Sequence, residues 1–344
     1  MPIKFILQSL LFDRPRLLAQ FAATIQSEKD MQDVVLNLPA TDPFRRILVK
    51  RLALLSNQYD QLSALNITWV DDDHPLYPAG FRQLTDPPLG VFMHGVLPAS
   101  LSGAVAIVGT RRPSLLAASR VASLVQSLKG MVVVSGGALG IDAMAHQQAL
   151  NQSYKTVAVL ASGLDKMTPI TNQGLFEQMI ESGLGAVITE CPPGTVPKPY
   201  YFPQRNRLIA AMTSKVIVVE AAKRSGAVLT ANIAAGLGRD VAAVVGGYNA
   251  PQSEGCYELM NDGAFAIGNA DQLAHFLGIQ PLLGCAQPMQ DDDLLAQIPA
   301  EPISIESLAT QLDMSLTELI EEVTQMSLNG DVIISAGQQV HRCE

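Results

Sequence analysis

From Ala104 to Val245 the chain changes character in short blocks. VAIVG, MVVVS, KTVAVLA, GAVITE, KVIVVE and DVAAVV are brief runs of β-branched and small apolar residues with no polar alternation inside them. Such runs predict strands buried on both faces. Between most of them lie stretches of helical length and spacing, such as LLAASRVASLVQSL and IDAMAHQQAL. Strand–helix alternation predicts an α/β fold: a doubly wound parallel sheet over residues 101–280, with ligands bound outside the carboxyl ends of its strands.

The flanks follow other patterns. Residues 1–65 have helical periodicity and no strand pattern, as in FRRILVKRLALLSNQYDQLSAL, and predict a small helical domain. The apolar start MPIKFILQSLLF runs into Asp13 and Arg14 with no small-residue cleavage site, so it predicts a first helix, not a signal peptide. Residues 66–100, rich in Asp and Pro, predict a connector with one or two short strands. Residues 281–286 predict a linker. Residues 287–344 carry three helix-like pieces, DDLLAQI, SIESLATQL and SLTELIEEVTQMSLNG. They end in DVIISAGQQVHRC, a hairpin with Gly337 near its turn, and together predict a winged-helix-like domain.

Composition narrows the class. The 344 residues are 48% hydrophobic and 16% charged, enough for a large core and unlike a disordered chain. No apolar run is long enough to span a membrane, and a cytoplasmic location is expected. Cys191, Cys256, Cys285 and Cys343 are scattered without a CxxC pair and predict reduced thiols. The net charge of −9 argues at first against nucleic acid. Its distribution alters that: residues 1–99 carry −1, residues 100–280 carry +2 and residues 281–344 carry −10. The middle is free to hold a basic site.

Four loops carry candidate chemistry. After the first strand, Gly109 permits close backbone approach, Thr110 offers a hydroxyl, and Arg111 and Arg112 offer charge-assisted donors to phosphate. After the second, Ser135, Gly136 and Gly137 lead into a helix, a turn whose amides can cradle an anion. Asp142 and His146 share a face of that helix, and a helix-face hydrogen bond or a packed histidine is the expected role, not catalysis. Lys166 follows the third strand. The fourth loop is FPQRNR with the downstream VVEAAKRSGAV. It sets Arg205, Asn206 and Arg207 before the helix LIAAM, and Lys223, Arg224, Ser225 and Gly226 at a strand-to-helix turn, with Lys215 beside the same strand. Tyr200, Tyr201 and Phe202 alongside suit stacked bases beside a phosphate path, with at least one of the three expected in the core. No metal set, no cofactor motif and no second acid beside Glu220 suggests catalysis.

Five blocks in order, AIVGTRRPS, VVSGGALGIDAMAH, TVAVLASGLD, FPQRNRLIA and VVEAAKRSGAVLTANIAAGLGRDVAAVVG, resemble the DNA-processing protein A (DprA/Smf) family. LYPAGFRQLTDPP upstream and SEGCYELMNDGA downstream also fit, so the resemblance covers about residues 65–270. It implies an extended Rossmann fold and a homodimer that binds single-stranded DNA without hydrolysing it. It also implies loading of the RecA recombinase in natural transformation. It makes Arg111, the Ser135–Gly137 loop, Arg205, Arg207 and the Arg224–Gly226 turn DNA contacts. The chain departs from the family's usual pattern at Leu139, where a cation is usual, at Gly137, where Leu is usual, and at Val245, where Pro is usual. Two other classes remain open: a nucleotide-processing enzyme like the LOG phosphoribohydrolases, whose PGGxGT loop is missing here, and an interaction scaffold whose pocket has lost its ligand.

Overall fold

The computed structural model describes residues 2–39, 42–279, 298–299, 301–312, 314, 316–329, 332–335 and 339–342. Residues 1–279 form one compact unit and residues 280–344 a second.

The first unit is organised by a nine-stranded sheet in the order β1-β2-β6-β5-β4-β3-β7-β8-β9. Its strands are β1 (Ile67–Asp71), β2 (Gly90–Gly95), β3 (Val105–Val108), β4 (Val133–Ser135), β5 (Thr156–Val159), β6 (Gly185–Thr189), β7 (Lys215–Val218), β8 (Asp240–Val244) and β9 (Phe265–Ile267). From β6 across to β9 every pairing is parallel, while β1–β2 and β2–β6 are antiparallel. The six apolar runs are thus the six central strands. The Asp- and Pro-rich segment after residue 66 is built into the sheet as its antiparallel edge, because Val70, Val91, Phe92 and Met93 have buried faces to contribute.

Both faces of the parallel strands are covered, as strands apolar on both sides require. Val108, Val134, Val157, Val159, Val216 and Val218 pack on one face against α8 (Tyr201–Met212), α9 (Gly226–Gly236) and α10 (Glu254–Asn261). Val105, Ile107, Val133, Ile217 and Val219 pack on the other against α5 (Ala117–Gln126), α6 (Ile141–Asn151) and α11 (Ala270–Leu277). The amino-terminal residues form α1 (Ile3–Leu11), α2 (Pro15–Thr24), α3 (Glu28–Asn37) and α4 (Pro43–Ala64). Their apolar faces join Phe92, Leu160, Val187 and α7 (Gln173–Glu181) in a third cluster. Gln8 of α1 ties them to the sheet: its Nε2 donates to Gly90 O at 3.0 Å and Glu190 O at 2.9 Å, and Leu89 N donates to its Oε1 at 2.9 Å. No helix among the described residues is long and apolar enough to cross a membrane.

The chain steps from β3 outward through β4, β5 and β6, then returns to place β7 on the other side of β3. That reversal opens a crevice beyond the carboxyl ends of β3 and β7, where ligands of doubly wound sheets bind.

In the second unit, helices span Ile305–Leu312 and Leu316–Asn329, and β10 (Ile303–Ser304), β11 (Val332–Ser335) and β12 (Gln339–Arg342) pair in the order β10-β12-β11. Ile305, Leu308, Leu319, Val323, Met326, Val332 and Val340 form its core. The linker 281–286, all of DDLLAQI except Ile298, Gly337, Cys285 and Cys343 lie outside the described residues.

Candidate nucleic-acid interface

The crevice at the strand reversal is a cavity of about 230 Å³. Its lining draws on three strand ends and two helix starts, including Gly109, Thr110 and Arg111 after β3, Ala138 after β4, Phe202, Arg205 and Asn206 of α8, and Ser225 and Gly226 at the start of α9. Gly109 is needed at its place: a Cβ there would meet Ile141 Cγ1 at 2.5 Å and Glu220 O at 3.0 Å.

Arg111 is exposed, and its guanidinium lies over the Phe202 ring, 4.9 Å from the centroid. A cation held on an aromatic face within about 6 Å is pre-oriented without an acidic partner and keeps its donors for a ligand. Opposite, Ser225 caps α9, its Oγ accepting from Val228 N at 3.3 Å. The amino end of an 11-residue helix therefore opens on the cavity, where a helix favours negative charge. Asn206 spans the floor, its Nδ2 donating to Gly226 O at 3.2 Å. Ser114 N and Oγ donate to Glu220 at 2.9 and 2.5 Å, and Arg120 lies 3.5 Å from the same carboxylate, so Glu220 pins the arginine loop.

Several expected contacts lie elsewhere. Arg205, Asn206 and Arg207 do not precede a helix; they occupy the second turn of α8, which begins at Tyr201 because Pro203 is tolerated in a helix's first turn. The helix then turns Arg205 inward, where it is 5% exposed. Its Nη1 donates to Val159 O at 2.5 Å and to Gly136 O, and its Nε donates to Asn206 Oδ1 at 3.1 Å. Burial pulls its pKa down to about 10 although Asp142 is near. Gly136 is glycine for this reason, since a Cβ would collide with the guanidinium. Arg207 faces a different cavity. Its Nη2 donates to Glu190 at 2.5 Å and its Nε lies 3.3 Å from Asp86.

The glycine loop is likewise closed to an external anion. Ser135, Gly136 and Gly137 are buried, and the Ser135 hydroxyl donates to Ile107 O at 2.6 Å. Asp142 Oδ2 accepts from Gly136 N at 3.1 Å and Ala138 N at 3.4 Å, so the chain's own carboxylate fills the cradle. Burial raises the Asp142 pKa, against Arg205 and these amides, which lower it. His146 is a packed core residue whose Nδ1 lies 2.7 Å from Thr156 Oγ1, and burial pulls its pKa down to about 3.

The remaining cations are outside the cavity lining, exposed except for the half-buried Lys215. Arg112 and Arg224 lie on the two loops that bound it. Lys223 pairs with Glu258 at 2.5 Å, which raises its pKa. Lys166 stands in a short 3₁₀ turn after β5, and Lys215 pairs with Asp240 at the opposite edge of the sheet. Of the three aromatics, Tyr201 is the core residue and Phe202 lines the cavity. The Phe202–Arg111 pair had a sequence signal in the aromatic that opens FPQRNR, but its partner comes from the fold. The Asp142–His146 spacing pointed to a pairing the structure does not make, since Asp142 accepts from Gly136 N and Ala138 N and His146 lies against Thr156.

The family model described as DNA recombination-mediator protein A matches residues 67–278, more than half the chain, from β1 through α11. The chain belongs to that family. It is 37% identical over 229 residues to Protein Smf of Synechocystis, covering 64% of this chain and 57% of that relative. DNA processing protein A from Streptococcus pneumoniae matches in structure with a TM-score of 0.64 at 30% identity, over 79% of this chain and 96% of that one. DNA processing protein A from Helicobacter pylori, studied for its single-stranded DNA binding mode, matches with a TM-score of 0.53 at 28% identity, over 62% and 94%. The strand-end cavity lies wholly within the matched residues.

Proposed function

We propose that this chain is a single-stranded DNA-binding recombination mediator that binds the strand without cleaving it. The observation that carries the reading is Arg111 held over Phe202 at the mouth of a cavity that the amino end of α9 also faces. A cation, an aromatic face and helix amides together suit a phosphate with its base. Gly109, Thr110, Arg111, Asn206, Ser225 and Gly226 are the lining contacts, with Arg112, Arg224, Lys166 and Lys223 as rim charges. Ser135, Gly136, Gly137 and Arg205 shape the floor, and Arg207 supports α8. A binding role, not an enzymatic one, fits the two nearby carboxylates, since Asp142 is engaged by amides and Glu220 by Ser114. We extend the reading to a cytoplasmic homodimer that protects incoming DNA and loads the RecA recombinase in natural transformation, with no cofactor. We further propose a helical region 1–65, a binding domain 101–280 to whose sheet residues 66–100 add the antiparallel edge, a linker 281–286 and a winged helix 287–344. Two helices and a three-stranded sheet in the tail support the winged helix.

Competition binding tests this directly. Unlabelled single-stranded oligonucleotide should displace a labelled one, while AMP and dAMP at matched nucleotide concentration should neither displace it nor be hydrolysed. Displacement by the mononucleotides with release of base would favour a nucleotide-processing enzyme, and no DNA binding at all would favour a scaffold.

A further inference from the structure

The first turn of α8 borders two cavities. Phe202 lines the one at the strand reversal, and Tyr201, the residue before it, lines a larger one of about 400 Å³ walled by α1, α4 and the loop after β6. That volume is within the range of sites that hold a nucleotide-sized ligand.

Its chemistry is that of a nucleotide site. Phe12 and Tyr201 form an aromatic pair with centroids 5.0 Å apart and planes at 45°. Lys198 is exposed, with Nζ 5.7 Å from the Tyr200 ring centroid and 5.8 Å from that of Tyr201, and no carboxylate pairs with it among the described residues. Arg51 adds a second cation, held by Asp13 at 3.0 Å. The Ser9 hydroxyl is buried with no hydrogen-bond partner among the described residues, and Gln58 Nε2 donates to Pro193 O at 3.4 Å. The cavity therefore offers the Phe12–Tyr201 ring pair for a base, an ammonium that no described carboxylate neutralises for a phosphate, and the Ser9 hydroxyl for a polar edge. Tyr200, one residue earlier, is 49% exposed and meets Tyr201 edge-on at 4.5 Å. Cation–aromatic pairs thus border both cavities from one helical turn.

We propose that the second cavity takes a further nucleotide of the single strand bound in the first, its phosphate on Lys198 and its base against Phe12 and Tyr201. This rests on the reading of the first cavity as a single-stranded DNA site. It assigns the amino-terminal helices a part in holding DNA, and it predicts an affinity that grows with oligonucleotide length beyond what the first cavity needs.

The test is a length series of oligothymidylates, from about four to about sixteen nucleotides, bound to the full chain and to its Arg111→Ala, Lys198→Ala and Lys198→Glu variants. Lys198 is exposed, so both substitutions leave the fold intact. Arg111→Ala should weaken binding at every length. Lys198→Ala should weaken the long oligonucleotides roughly three- to tenfold and leave the shortest unchanged, with Lys198→Glu costing more. Ultraviolet crosslinking of long 5-iodouracil oligonucleotides to wild type should mark residues 9–13 or 198–201, and short ones should not. Wild-type binding of long strands by both Lys198 variants, or an equal loss at all lengths, overturns the inference while leaving the first cavity standing. A silent Arg111→Ala instead removes the first cavity's assignment on its own.

Discussion

Replacing Arg111 by Ala removes a cation that both lines the strand-end cavity and rides on an aromatic ring. The guanidinium is exposed and 4.9 Å from the Phe202 centroid, so its stacking contributes about 0.5–1 kcal/mol of orientation in the free protein. What the substitution removes on binding is a charge-assisted hydrogen bond to phosphate, about 1–3 kcal/mol. That is roughly a five- to 150-fold rise in Kd. Arg111→Lys should fall between wild type and Ala, because a lysine keeps the charge but loses the planar fork and the stacked geometry. Lys129→Ala, at an exposed site outside the cavity lining, controls for net charge and should change Kd little, since the Debye length at physiological salt is only about 8 Å. Fluorescence anisotropy with a labelled oligothymidylate at several salt concentrations reads all three. The log–log salt slope of the Ala variant should be shallower by about 0.7, one phosphate contact on a single strand. Equal loss in Arg111→Ala and Lys129→Ala would mean diffuse electrostatics, not a site, and would refute the reasoning.

Leu139→Arg should tighten single-strand binding a few-fold in the same assay, because the side chain is exposed beside Ala138 of the cavity lining and its turn lacks a cation; unchanged or weaker binding would contradict it. Deleting residues 287–344 should leave affinity for single strands unchanged or higher, since residues 281–344 hold one basic residue against eleven acidic ones; a clear loss in a folded truncation would show that the tail binds DNA. Arg205→Leu should cost about 3–5 kcal/mol in denaturant unfolding, because it strands the buried Asp142 charge and two carbonyls. Adding Asp142→Asn should recover part of that cost, and strict additivity of the two changes would contradict the coupling. His146 has a folded pKa near 3 against an ordinary 6.5, so the stability it contributes is complete above 6.5 and is lost as pH falls toward 3. The slope is at most about 1.4 kcal/mol per pH unit, and a His146→Asn variant with the same acid limb as wild type would refute it.

The parallel sheet was legible because its strands are short, apolar on both faces and spaced by helices, a pattern that few other folds share. The antiparallel edge was harder to read: Val70 and Val91–Met93 are brief and sit among Asp and Pro residues that signal loops. The site was legible as a set of loops but not as a set of contacts. Residue type identifies Arg205 as a phosphate donor, yet its direction depends on where α8 starts, and Pro203 masks that start. Likewise a glycine turn before a helix reads as an open anion cradle until the fold brings in Asp142 as its occupant. Arg111 and Phe202 lie 91 positions apart, so nothing local joins them; the strand reversal does.

The central claim is that the cavity at the strand reversal holds single-stranded DNA. The most direct test is an equilibrium titration of the full chain with one labelled oligonucleotide, alone and annealed to its complement, at matched salt. Phosphate-directed loops beside the Phe202 ring favour unstacked bases over a closed duplex. The single strand should therefore bind more tightly than the duplex, with little dependence on base sequence. Equal affinity for the duplex at the same salt would contradict the account.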